Sequence, residues 1–180
     1  MEAVRKTNMG LTYGLIGGLI ICLITLTQYL LGLQAYLSPL GFLTYILIIV
    51  MAVLAGQKQK KLNGGYLEFS EALKVTFSVF ASALLLQTLF TYVLLNFIDP
   101  EFKQALGQEV MNKTEEFMRK FGASDTQIDK ALEDQSSTDQ FAFGKMILGY
   151  ALWCIVWFIV SLIISAIIKK SKPAFTTTQL

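Results

Sequence analysis

Histidine is absent from the 180 residues, and cysteine occurs only twice. Without imidazole there is no histidine base, no Ser-His-Asp or Cys-His arrangement and no histidine-ligated metal. Cys22 and Cys154 fall in apolar runs without CxxC spacing, as inert packing residues do. Charge is scarce too: 16% of residues are charged and 54% hydrophobic, against about 25% and 45–50% in soluble domains. Where the charges fall says more. None occurs from Thr7 to Gln57, from Val75 to Ile98 or from Met146 to Ile168.

A bilayer core about 30 Å thick takes about 20 helical residues. The second and third uncharged runs therefore fit one span each. The first would make a helix of roughly 75 Å at about 1.5 Å per residue, so it folds back. The fold-back point is "GLQAYLSPLG", where Ser38-Pro39 reads as an N-cap followed by proline in the first turn. Spans are predicted at about 9–31, 37–55, 73–97 and 143–168. Backbone groups in lipid bond within their own helix, and no alternating strand segments are present. The expected fold is an all-α integral membrane protein: one four-helix domain over residues 1–180, with an outer amphipathic helical pair before the last span. The first apolar run exceeds a signal core of 7–15 residues and no small-x-small site follows it, so it reads as a retained anchor.

Basic residues gather at Arg5 and Lys6, at Lys58, Lys60, Lys61 and Lys74, and at Lys169, Lys170 and Lys172. The positive-inside rule places those segments, and both termini, in the cytoplasm. The hairpin at 32–36 and the segment 98–142 then face outward.

The stretch "QKQKKLNGGYLEFSEALK" (57–74) has lysines and paired glycines but is no phosphate loop, because Gly64 and Gly65 are adjacent and the lysines precede them. Asn63-Gly64-Gly65 is turn chemistry tolerant of positive φ. Tyr66, Phe69, Leu73 and Phe77 then recur at helical spacing, with Glu71 and Lys74 as an i,i+3 pair. The stretch reads as a polar hinge and interface anchor, its Lys58, Lys60 and Lys61 offering headgroup contacts worth roughly 1 kcal/mol each.

"KKLNGGYLEFSEALK" after a second span, followed by "NFIDPEF" at the end of the third, resembles a bacterial membrane-protein family known as domain of unknown function 4199. The resemblance covers essentially the whole chain. It implies a multi-pass protein of the bacterial inner membrane, and no activity or catalytic residues.

Gly10, Gly14 and Gly18 stand four apart, with Gly17 beside them. Such a groove admits close helix approach, which drives packing inside lipid; an internal neighbour is expected. Ser161 and Ser165 repeat the spacing more weakly, and Trp153 and Trp157 read as deep packing residues. Lys74 and Lys145 lie at span starts, where they can snorkel to the surface; no charged side chain lies deeper, so the usual mark of a substrate path is missing. Gln87, Thr88 and Thr91 are the mid-span polar group, suited to interhelical bonds or to lining a path in an oligomer.

In the outer segment, Asp99-Pro100 forms a cap and first-turn pair. Phe102, Leu106, Val110, Phe117 and Phe121 share one helix face. Gly122 ends that helix, and Ser124 with Gln127 makes a capping box for a second, whose stripe is Ile128, Ala131 and Leu132. Surface-lying helices are rich in Lys and Arg, whereas this segment is acidic. Its apolar face therefore suits the outer mouth of the bundle or a partner.

The expected function is a non-catalytic accessory, assembly or structural component working through helix packing and the outer segment. The alternative is a small oligomeric transporter or pore lined by Gln87, Thr88 and Thr91. A remoter one is an enzyme on lipid-linked substrates using Glu68 and Glu71 at the cytoplasmic interface. Expected partners are the bilayer and a membrane protein or second copy of the chain. Neither cofactor, metal nor nucleic acid is indicated.

Overall fold

A computed structural model describes residues 8–172. The basic pair Arg5 and Lys6 and the tail from Pro173 onward lie outside the described residues. Four helices are long and apolar enough to cross a membrane: α1 (Met9–Leu30), α3 (Phe42–Leu62), α4 (Phe69–Val93) and α7 (Phe143–Ile168). The first loop carries a one-turn helix, α2 (Leu33–Tyr36), and a 3-10 turn at Pro39–Gly41. The segment between the last two spans is a hairpin of α5 (Pro100–Lys120) and α6 (Asp125–Ser136). This is a multi-pass, all-helical membrane protein.

Helix α4 is the axle: α1, α3 and α7 all pack on it. Its buried stripe of Ala72, Val75, Thr76, Val79, Phe80 and Ala83 recurs at three- and four-residue steps, so small side chains let neighbours approach while Phe80 fills the centre. Phe80 is fully buried and stacks on Trp157 of α7 at 4.6 Å between ring centroids. Outward-facing leucines and isoleucines such as Leu23, Ile46 and Ile167 are exposed, as lipid contact requires.

Element ends follow local chemistry. Asn8 caps α1 through Leu11 N, and Asp99 caps α5 through Phe102 N with Pro100 in the first turn. The Ser124–Gln127 capping box is formed. Gly64 and Gly65 take φ of 70° and 91°, and Gly122 takes 79°, the left-handed region glycine tolerates.

The second span departs from its predicted 37–55. Ser38 does not cap it; the Ser38 hydroxyl bonds back to Ala35 O, Pro39 starts the 3-10 turn, and Gly41 stands at the helix cap. At the other end α3 runs on to Leu62, because Lys60 and Gln59 find partners on neighbouring helices. The pairing of Glu71 with Lys74 is replaced as well. Glu71 accepts from Asn63 Nδ2 at 2.8 Å and Gln59 Nε2 at 3.2 Å, which ties α4 to the end of α3. The third span starts at Phe69 rather than 73 and closes with a π-helical turn at Leu94–Ile98, marked by Asp99 N donating to Leu94 O at 2.9 Å.

Candidate functional site

Helices α3 and α7 meet tightly at the 57–74 end and leave a hollow farther along. Where they meet, a Cβ on Gly56 would collide with Ile168 Cδ1, and Lys60 Nζ donates to Ile168 O at 2.8 Å, capping α7. Leu67 and Lys170 exchange two backbone hydrogen bonds of 2.8 Å, and Lys170 sits 5.6 Å over the Tyr66 ring. Glu68 accepts from Ser171 Oγ and Lys172 N. The 57–74 stretch is therefore a clasp on the end of α7.

Toward the other end, Thr44, Tyr45 and Ile48 of α3 face Met146, Gly149, Tyr150, Trp153 and Trp157 of α7 across a cavity of about 300 Å³, floored by Leu84, Gln87 and Thr88 of α4. A second hollow, about 330 Å³, shares Thr44, Tyr45 and Gln87 and continues to Thr25, Gln28 and Tyr36. No charged side chain lines either one. Among the described residues, the buried side-chain polar atoms without a hydrogen-bond partner are Gln28 Nε2, Gln87 Oε1 and Trp157 Nε1. All three residues line these two hollows. Buried polar groups are nearly always paired, so this concentration marks the place out.

The glycine stripe lies against α4. A Cβ on Gly10 would stand 2.5 Å from Val75 O, one on Gly14 would strike Ser82 Oγ, and one on Gly18 would stand 3.0 Å from Ala83 Cα. Gly17 faces Ile48 and Met51 of α3 instead. Gln87 Nε2 donates to Thr25 Oγ1 at 2.9 Å, linking α4 to α1. Thr88 lines the first hollow, while Thr91 lines neither; the three residues do not share one wall. Thr76 and Ser165 are fully buried and bond each other at 2.9 Å, joining α4 to α7. Of the three lysines, Lys60 is spent on Ile168, and Lys58 and Lys61 are exposed.

The α5–α6 hairpin is fastened at its root. Asp99 accepts from Phe102 N and from Tyr29 Oη, both at 2.8 Å. Those bonds, the amide first and the phenol second, hold its carboxyl below the usual aspartate range. Phe102 meets Tyr29 and Tyr36 edge-on at 4.9 and 5.3 Å. Lys103 donates to Asp139 at 2.6 Å and to Asn96 Oδ1 at 2.8 Å, while Asn96 Nδ2 reaches Phe141 O at 3.0 Å. The Lys103 contact, reinforced by the Phe141 amide, lowers the Asp139 pKa too. Burial raises that of the Tyr36 phenol, against an opposing pull from Thr91. Away from the root the apolar face opens: Phe117 and Phe121 are 61% and 76% exposed, their rings in contact at 4.5 Å between centroids and tilted by 37°.

The sequence profile of the family described as "Protein of unknown function (DUF4199)" matches residues 12–170. The chain belongs to this family. No curated protein and no solved structure matches it. In this DUF4199 chain the matched region holds both hollows, the clasp and the whole hairpin. Among the described residues no group of His, Cys, Asp and Glu is placed to hold a metal ion.

Several contributors escaped the sequence reading. Tyr29 and Asp99 are 70 positions apart and Lys103 and Asp139 are 36 apart, beyond any periodicity. Asp99 carried a local signal as a cap; its second bond did not. Trp157 was legible as a deep residue, but not as an unpaired donor beside Gln87.

Proposed function

We propose that this DUF4199 protein is a non-catalytic accessory or assembly component of the bacterial inner membrane that holds a partner membrane protein on its outer hairpin. In this reading both termini and the 57–74 clasp are cytoplasmic, supported by the lysines at 58, 60, 61, 169, 170 and 172. The hairpin faces outward.

The observation that carries the reading is a rigid root with an uncovered tip. Bonds from Asp99, Lys103 and Asn96 fix the first turns of α5 to the bundle, whereas the Phe117–Phe121 pair is exposed on an arm of charged residues. An ordered arm loses little entropy on docking, and clustered aromatics are the usual energetic centre of an interface. Residues 99–140 carry ten acids and five bases, so the matching surface is an apolar pocket with a basic rim. The enzyme alternative has less support, since Glu68 and Glu71 are both taken up in the clasp. Replacing Phe117 and Phe121 by serine should release the partner and leave the four-span bundle intact.

A further inference from the structure

The hollow between α3, α4 and α7, and the adjoining one walled by α1, the 36–41 loop, the start of α3 and Gln87, carry three buried polar atoms without partners and no charge on their walls. We propose that they form a binding site for an uncharged glycerolipid of the diacylglycerol class, a ligand with a free hydroxyl beside an ester carbonyl.

The chemistry of the orphan atoms selects the ligand. Trp157 Nε1 is a donor only and needs an acceptor, which an ester carbonyl supplies. Gln87 Oε1 needs a donor, and because Gln87 Nε2 is already bonded to Thr25 Oγ1, the amide is held with that oxygen unpaired. A lipid hydroxyl meets it. Gln28 Nε2 is a second donor in the adjoining hollow, suited to the other ester. A hydrocarbon chain alone would leave all three atoms unsatisfied at a cost of about 1–3 kcal/mol each.

Charge sets the other boundary. A phosphate or ammonium headgroup here would be buried with no counter-charge, which membrane interiors penalise heavily. The site therefore discriminates between a phospholipid and the neutral lipid with identical chains. Size is consistent: about 300 Å³ is at the lower end of ligand cavities, enough for the glycerol end and the first methylenes. The remainder of the chains leaves past Trp153, which lines the hollow and is 50% exposed, so the rim reaches the lipid-facing surface.

The chain has two tryptophans, Trp153 and Trp157, and both line the hollow. In a Trp153→Phe background Trp157, 5% exposed, is the sole tryptophan, and it is excited selectively at the red edge where tyrosine does not absorb. The full-length protein is reconstituted in phosphatidylcholine vesicles and titrated with diacylglycerol brominated on its chains, against phosphatidylcholine carrying the same brominated chains. The site predicts saturable quenching by the diacylglycerol at a few mole per cent, at least fivefold more than by the phospholipid at equal fraction. Gln87→Leu should raise the half-saturating fraction at least threefold. Quenching that is equal and linear for the two lipids would overturn the proposal, as would an unshifted curve in Gln87→Leu with its melting temperature preserved. The lipid comparison itself needs no change at Gln87, so it decides even if that variant fails to fold.

Discussion

Gly14 shows how much a single hydrogen atom decides. Its missing side chain lets α1 rest on the backbone of Val79, and a methyl there would strike Ser82 Oγ and lie 2.8 Å from Val79 O. Gly14→Ala should therefore cost about 1–3 kcal/mol, as overpacking does. Gly41→Ala, where a Cβ meets nothing within 4 Å, should stay within about 0.5 kcal/mol. Unfolding in bicelles measures both; equal stabilities would contradict the packing assigned to the stripe. Asp99 makes the second residue-scale prediction. Its pKa is depressed by the Phe102 amide and then by Tyr29, and that of Asp139 chiefly by Lys103. A depressed carboxyl stabilises fully above its unfolded value and loses that contribution as pH falls through the folded one. Amide exchange at 102–106, corrected for intrinsic rate, should be level from about pH 7 to 5 and quicken below about pH 4. Asp99→Asn with Asp139→Asn should flatten the profile.

Among the elements, α4 holds the bundle together with few polar contacts. The Thr76–Ser165 bond should show a coupling of about 0.6 kcal/mol, and at most about 1.7, in a Thr76→Val, Ser165→Ala double-mutant cycle. Zero coupling would mean the two hydroxyls are satisfied by their own helices, through bonds such as Thr76 Oγ1 to Ala72 O. The spans themselves were legible because charge-free length is a local property: α7 matches its predicted 143–168 and α1 differs at one end by a residue. The capping box and the Asp99-Pro100 start were legible for the same reason. What failed was set by neighbours distant in sequence. Helix α3 continues past 55 because Lys60 caps α7. The π turn at Leu94–Ile98 has no sequence mark; it carries Asn96, which bonds both Lys103 and Phe141. The apolar face of α5 was legible as a stripe, but the structure divides it into a seated root at Phe102 and Leu106 and an open tip at Phe117 and Phe121.

At the scale of the whole molecule, the bundle is clasped at one end and hollowed toward the other, with a rooted arm beyond. The hollow was out of reach of the sequence because it is a gap between α3 and α7, helices far apart in the chain, at the end where both pack on α4. Gln87 was singled out by its mid-span position, yet the sequence named neither Thr25 as its partner nor Trp157 as a fellow orphan. The arm leads to the central claim, that this protein works by holding a partner. Wild type and the Phe117→Ser, Phe121→Ser variant are extracted from native membranes into lipid nanodiscs at matched abundance, and co-purifying proteins are quantified by mass spectrometry. The account predicts one stoichiometric membrane-protein partner on the wild type, lost by at least tenfold from the variant. Equal partner recovery from both, or no stoichiometric partner on the wild type, would contradict it.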